Sequence, residues 1–234
     1  MNSAVPIICI DGPSGAGKGT LSGSLARSLN WNLLDSGALY RAVGVACQRS
    51  GIVVDNGPEV ALFARDLDIS FKFHPRGQVV LLDGEDVSSQ LRTERVGQVA
   101  SKIARYAVVR DALLYWQQDM AQPPGLVADG RDMGTNVFPT SILKVFLTAS
   151  PEARARRRCI QLQGLGENVS LRRLTEAIQE RDTRDRDRES SPLLPADDAV
   201  VIDSTELSAH DVYRAVWELV VSKVLGAETL ESRL

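Results

Sequence analysis

The sequence predicts an α/β fold: a five-stranded parallel sheet with helices on both faces, interrupted by a small antiparallel β insertion. Three observations predict it. Five short apolar runs (5–10, 32–35, 126–129, 142–147 and 199–203) alternate with segments of helical spacing, the pattern of parallel strands buried on both faces. A glycine-rich turn, Gly12 to Gly19, separates the first run from a helical pattern with Leu21, Leu25 and Leu29 at four-residue spacing. Between Leu67 and Phe73 the period changes to two, with Leu67, Ile69, Phe71 and Phe73 alternating with Asp68, Ser70 and Lys72.

Each element has its own signal. Val5 to Ile10 reads as a buried strand, and the helix after the glycine turn is followed by a short strand, Asn32 to Asp35. Ser36 is placed to cap a helix running to about Ser50. The turn Asp55-Asn56-Gly57-Pro58 precedes a helix from Glu59 to Asp66. His74-Pro75-Arg76-Gly77 turns the alternating strand back into Gln78 to Leu82, with a third extended piece near Asp86 and Val87. Helical pattern runs from about Thr93 to Met120, broken near Arg105-Tyr106, and Gln122-Pro123-Pro124-Gly125 ends it. After two more strands, Ser150-Pro151 is an N-cap followed by proline at the first helical position. That helix runs to about Gln163, a loop covers Gly164 to Asn168, and Ser170 starts a helix to about Arg188. Ser208 and Asp211 form a capping box for the final helix, whose apolar face is Val212, Ala215, Val216 and Leu219.

Composition narrows the class. No apolar run approaches the ~18 residues that span a bilayer, and Met1 to Pro6 lacks a basic, apolar leader. Cys9, Cys47 and Cys159 are few and far apart, the pattern of reduced thiols, so the expectation is a cytoplasmic protein that engages no membrane. With only His74 and His210 there is no histidine/cysteine metal cluster in the sequence. A net charge of −3 argues against a nucleic-acid polymer as partner. Lysine occurs only at 18, 72, 102, 144 and 223, which leaves twenty-two arginines, the side chain whose fork suits bidentate phosphate contacts. Ten of them fall between Arg154 and Arg188 against six acidic residues, so that segment is +4 in an acidic chain.

The chemistry begins at Gly12-Pro13-Ser14-Gly15-Ala16-Gly17-Lys18-Gly19-Thr20. Strand, glycine-rich turn and helix are the context of a phosphate-binding loop. Glycines let the backbone curl and turn N–H groups onto an anion, the helix N-terminus adds partial positive charge, and Lys18 can reach terminal phosphates. The motif departs from the common form at Gly19, which stands where Ser or Thr is expected, with Thr20 one place late. Thr20 is therefore a candidate contact for Mg²⁺, not an assigned one. In parallel sheets ligands sit beyond the carboxyl ends of the strands, where Asp35-Ser36-Gly37 and Gly130-Arg131-Asp132 also fall.

Four segments together resemble the bacterial cytidylate kinases, a P-loop nucleoside monophosphate kinase family. They are Asp11 to Thr20, Leu34-Asp35-Ser36-Gly37-Ala38-Leu39-Tyr40-Arg41, Ala128-Asp129-Gly130-Arg131-Asp132-Met133-Gly134-Thr135 and Arg181-Asp182-Thr183-Arg184-Asp185-Arg186-Asp187-Arg188. The likeness extends over essentially the whole chain. It implies a single P-loop NTPase-type domain: a core of about 1–54, 106–150 and 190–234, an insertion at about 55–105 that binds the monophosphate, and a helical lid at about 151–189. It implies transfer of the γ-phosphoryl group of ATP, carried with Mg²⁺, to CMP or dCMP by a monomer. Donor phosphates would lie on Gly12 to Thr20, with Arg154, Arg157 and Arg158 on the lid. Arg41 and Arg131 would hold the acceptor phosphate. Ser36, Ser101, Arg110, Asp132 and Arg188 would surround cytosine, and Arg181 and Asp185 would meet the sugar hydroxyls.

The residues agree with those roles without compelling them. A carboxylate beside arginine or serine donors suits cytosine, which exposes an amine and ring acceptors. Arg181, Asp185 and Arg188 fall at i, i+4 and i+7 on a helix, which equally fits a solvated ion-pair face. Arg131 fits a structural salt bridge as well as a phosphate clamp. Asp129 fits a neighbour of Mg²⁺ or an orienting group of the acceptor site. No general base is required, because a nucleoside monophosphate with a second pKa of about 6 is already a dianion at neutral pH. Another small-acceptor kinase, acting on AMP or shikimate, is the nearest alternative; a hydroxyl acceptor would favour an acidic pair where Asp35-Ser36-Gly37 has one carboxylate. A guanine-nucleotide switch lacks its Asn-Lys-x-Asp sequence, and an RNA-binding module conflicts with the acidic total.

Overall fold

The structure is a computed structural model that describes residues 5–74, 77–164 and 169–225. Pro75 and Arg76 of the expected hairpin turn, residues 165–168 of the expected loop and most of the expected leader-free start lie outside the described residues. The chain divides into two compact units, one formed by residues 1–34 and 120–234, the other by 35–119.

The first unit is built on the sheet. Strands β1 (Ile7–Asp11), β2 (Asn32–Asp35), β6 (Leu126–Gly130), β7 (Leu143–Thr148) and β8 (Val200–Asp203) lie in the order β2-β6-β1-β7-β8. The pairs β1–β6, β1–β7 and β7–β8 are parallel. Helices α1 (Lys18–Leu29) and α9 (Ala209–Val220) pack on one face, where Leu21, Leu25 and Leu29 meet Ile8, Ile10, Val145, Val212 and Val216. On the other face Cys9, Leu126 and Ala128 are also fully buried, which is why these strands read as continuous apolar runs rather than alternating ones. Helices α7 (Pro151–Gly164) and α8 (Leu171–Arg186) pack together through Ala155, Leu162 and Leu174. The Ser208–Asp211 capping box starts α9 as expected. Among the described residues no helix is long and apolar enough to cross a membrane.

The second unit joins helices α2 (Ser36–Ser50), α3 (Gly57–Arg65), α4 (Ser88–Leu91), α5 (Glu94–Ile103) and α6 (Ala107–Asp119) to an antiparallel sheet. That sheet is β3 (Ile69–His74), β4 (Gly77–Leu82) and β5 (Glu85–Asp86), with Ile69 opposite Leu82. Its core runs through Leu39, Val43, Val60, Val80, Leu82, Ile103 and Val109, and Phe71 meets the Trp116 ring at 5.3 Å. In this unit α2 and α6 bury their apolar residues together with the hairpin.

Four local features differ from the sequence reading. Asp35, not Ser36, caps α2, its side chain accepting from Ala38 N–H at 2.8 Å, so Ser36 is the first helical residue. Helix α8 ends at Arg186, which leaves Arg188 just beyond the helix rather than on its face. The short helix α4 and a π-type turn at Met133–Val137 have no periodicity long enough to announce them. The last strand begins at Val200 rather than Ala199.

Candidate active site

The donor half of the candidate site lies in the first unit, in the loop between β1 and α1. Gly12 has φ +145°, and a Cβ there would lie 2.0 Å from the Leu147 carbonyl oxygen, so only glycine lets β1 leave the sheet against β7. Gly15 and Gly17 also take positive φ, and Gly17 precedes the first helical residue, Lys18. The Lys18 side chain is buried; its Nζ donates to the Pro13 carbonyl at 2.9 Å and lies 4.0 Å from Asp129 Oδ1. The cation is thus laid across the loop that should carry the phosphates. Thr20 is exposed in the first turn of α1.

Two loop carbonyls are held from behind. Arg154 Nη1 donates to the Ser14 carbonyl at 3.2 Å, and Ser204 Oγ to the Ala16 carbonyl at 3.0 Å, with Arg157 Nη1 at 3.4 Å from the same oxygen. In a trans peptide the next N–H points opposite to its carbonyl, so the Gly15 and Gly17 N–H groups are turned away from these donors. Arg154 is itself buried, clamped by both oxygens of Asp182 (3.0 and 2.5 Å) and bonded to the Ala149 carbonyl at 2.8 Å. Arg157 donates to Ser204 Oγ at 3.1 Å and to the Ser204 carbonyl. Arg158, half-buried, reaches Gln161 Oε1 on its own helix at 3.4 Å. In this structure Arg154 and Arg157 therefore bind protein groups that shape the loop.

A second cluster in the same unit gathers three arginines on one carboxylate. Arg131 Nε lies 3.1 Å from Asp185 Oδ2, Arg181 Nε 4.0 Å from the same oxygen, and Arg188 Nη2 bonds Asp185 Oδ1. Asp185 is 1% exposed. Burial alone would raise its pKa, but the guanidiniums of Arg131, Arg188 and Arg181 outweigh burial and hold it below the ordinary carboxylate value. Burial likewise opposes the charge of Arg131, and Asp185, with Asp129 and Asp11, outweighs it. Three guanidiniums thus gather on one carboxylate, donors of the kind that also suit a phosphate. The helical i, i+4 spacing brings Arg181 and Asp185 together, and Arg188 joins them from the segment after the helix.

Register explains why these two features belong to one half-site. Strands β1 and β6 are adjacent, and Asp11 pairs with Gly130. The phosphate-binding loop leaves the sheet after one, and the Arg131-Asp132 turn leaves at the same level after the other. Asp11 ties the two departures together: its Oδ1 accepts from Met133 N–H and its Oδ2 from Gly134 N–H, both at 2.8 Å. Burial pushes the Asp11 carboxyl up to about 6; the two N–H groups and Lys18 work against that rise, and Asp132 adds to it. Asp132 is buried, as is Asp129.

The remaining expected residues lie in the second unit. Ser36 Oγ donates to Gln117 Oε1 at 2.7 Å, and Gln117 Nε2 donates back to its own helix at the Leu113 carbonyl. Arg41 Nη1 donates to the Leu91 carbonyl at 3.2 Å. Arg110 is buried, with its guanidinium 6.0 Å from the Tyr40 ring centroid, and Ser101 is buried on α5. Asp11, Asp182, Ser204 and Gln117 were not singled out by sequence. Asp182 carried a signal there as a carboxylate inside the arginine-rich octet, and Asp11 as the first residue of the glycine-rich segment; their partners, like those of Ser204 and Gln117, lie 28 to 188 residues away, where no local pattern announces them.

Comparison with known proteins gives the family. A family model described as cytidylate kinase matches residues 8–222. A protein named cytidylate kinase from Pseudomonas paraeruginosa is 53% identical over 218 residues, covering 92% of this chain and 95% of that protein. Its namesake from Pseudomonas fluorescens is 50% identical over 231 residues, covering 97% of this chain and 100% of the relative. Among solved structures, a shikimate kinase from Bacteroides thetaiotaomicron aligns with TM-score 0.45 at 16% identity, covering 93% of this chain and 99% of the other. With a family match across nearly the whole chain and half of its residues shared with named relatives, this chain belongs to the cytidylate kinase family.

Proposed function

We infer that the protein transfers the γ-phosphoryl group of ATP to CMP or dCMP, giving ADP and CDP or dCDP. The observation that carries the reading is the pairing of Asp11 with Gly130, which starts a phosphate-binding loop and an arginine-bearing turn at one level of one sheet. An enzyme that joins two anions needs both held in line and their repulsion neutralised. The loop Gly12 to Thr20 supplies the donor cradle, and Lys18 the charge on the transferring group. Arg131 and Arg41 clamp the acceptor phosphate. Ser36, Ser101, Arg110, Asp132 and Arg188 read cytosine, Arg181 and Asp185 face the sugar, and Arg158 completes the charge over the transferring phosphoryl group.

The geometry favours a different emphasis for two lid arginines. Arg154 and Arg157 serve ATP by holding the Ser14 and Ala16 carbonyls, which leaves the loop N–H groups to the phosphates. Mg²⁺ travels with the nucleotide and neutralises charge between its phosphates. Exposed Thr20 and buried Asp129, near Lys18, are oxygen donors of the kind such an ion takes, directly or through water.

The test is multiple-turnover ADP release from ATP with and without added CMP. Release that depends on CMP, and that disappears in Lys18→Ala, is the expected result. Release independent of any nucleoside monophosphate would overturn the assignment.

A further inference from the structure

The turn after β6 has an unusual cap. Asp132 stands immediately before the Met133–Val137 turn, where an aspartate ordinarily accepts from the first unbonded backbone N–H groups. Its side chain makes no such bond. The N–H groups of Met133 and Gly134 are taken instead by Asp11, one by each carboxylate oxygen, from the end of the neighbouring strand. The fit is close. A Cβ on Gly134 would lie 3.0 Å from Lys144 Cδ and 3.5 Å from Asp11 Oδ2, so a side chain there would crowd Lys144 and just touch Asp11. Asp11 is 6% exposed and Asp132 3%, and two carboxylates this deeply buried in one locality need separate reasons to be there.

We propose that Asp11 is a positioning residue for base selection: by capping the 133–137 turn in place of Asp132, it keeps the Asp132 carboxylate off its own turn and directed to the exocyclic amine of cytosine. The proposal rests on the reading above that Asp132 faces the base. A carboxylate has acceptors on both oxygens, which matches two N–H groups. Asparagine at position 11 would present one acceptor and one donor, and alanine neither. In either variant Asp132, which directly precedes the orphaned N–H groups in the chain, turns back to cap them. A carboxylate so engaged no longer distinguishes the amine of cytosine from the carbonyl oxygen that uracil carries at the same position.

The experiment is kcat/KM for CMP and for UMP, measured on the same preparations of the unaltered protein, Asp11→Asn, Asp11→Ala, Asp132→Ala and the double variant Asp11→Ala/Asp132→Ala. The CMP-to-UMP ratio cancels the amount of folded enzyme, so partial unfolding cannot imitate the effect. The ratio should fall about tenfold or more in Asp11→Ala, as for loss of one charged hydrogen bond, and by less in Asp11→Asn. In the Asp132→Ala background Asp11→Ala should lower it no further. An unchanged ratio in Asp11→Ala, with the ratio lowered by Asp132→Ala, overturns the proposal and leaves the base-reading role standing. An equal fall on removing Asp11 in both backgrounds overturns it too, since the effect would not pass through Asp132. If Asp132→Ala keeps the unaltered ratio, the base-reading role fails and takes this inference with it, while CMP-dependent ADP release still tests the kinase assignment separately.

Discussion

Lys18 and Asp11 show how single residues divide their work between fold and chemistry. Lys18 is buried but spans a loop rather than a core, its Nζ bonded to a loop carbonyl and 4.0 Å from Asp129. Lys18→Ala should therefore fold with stability changed by about 1 kcal/mol or less, and lose about 100-fold or more in kcat, as for removal of a charged transition-state donor. A urea midpoint and a steady-state assay on one preparation check both halves. Asp11 is the opposite case, a charge kept where burial disfavours it. Its folded pKa of about 6 lies above the ordinary carboxylate value of 3.8, so the stability tied to its ionisation is complete below about pH 4 and lost as pH rises through 6. A neutral residue does not lose it. Asp11→Asn should thus gain on the unaltered protein by about 2 kcal/mol between pH 4 and pH 7, whatever it costs in hydrogen bonding at either pH. Urea unfolding of both proteins at the two pH values decides it. A difference between them that does not change with pH would mean the Asp11 carboxyl ionises as in the unfolded chain.

At the scale of elements, α7 and α8 are the informative pair. Clustered like charges on α7 invite the picture of a lid that stands off until phosphate arrives. The contacts restrict that picture. Arg154 and Arg157 are already bonded to the phosphate-binding loop and to Ser204, and Asp182 and Asp185 of α8 are bonded to Arg154 and Arg131. Closure, if driven by nucleotides, belongs to the parts of the helices beyond these anchors. Hydrogen exchange with CMP and a non-hydrolysable ATP analogue should slow within 159–164 and 169–178, and change little at 151–157 and 182–186. Equal slowing across both anchored and distal parts would contradict this division. The helices themselves are legible in sequence because Ser150-Pro151 and Ser170 are strong starts, and Ser170 Oγ does accept from Arg173 N–H. The end of α8 is not, because Asp-Arg repeats continue through Arg188 without a glycine or proline to stop them. Nor is the cap of α2, where adjacent Asp35 and Ser36 both qualify and only the packing of Ser36 against Gln117 chooses between them.

At the scale of the molecule, the parallel sheet and the antiparallel hairpin are legible from hydrophobic period alone, because a strand buried on both faces and one buried on a single face leave different patterns. The division into units is not. Helix α2 buries Leu39, Val43, Val45, Ala46 and Cys47 around much of its circumference, so its sequence cannot say which neighbours it joins, and it falls in the unit of residues 35–119. Of the candidate site, the phosphate-binding loop is legible because glycine conformation and Lys18 act locally. The Asp185 cluster is half legible: helical spacing pairs Arg181 with Asp185, while Arg131 arrives from 54 residues away. What distinguishes this molecule from other kinases with the same loop is the acceptor, and the central claim is that the acceptor is a cytidine monophosphate. ADP release at fixed ATP, with CMP, dCMP, AMP and GMP supplied in turn, tests it directly. CMP and dCMP should be turned over well and the two purine nucleotides poorly; equal turnover with AMP would contradict the account.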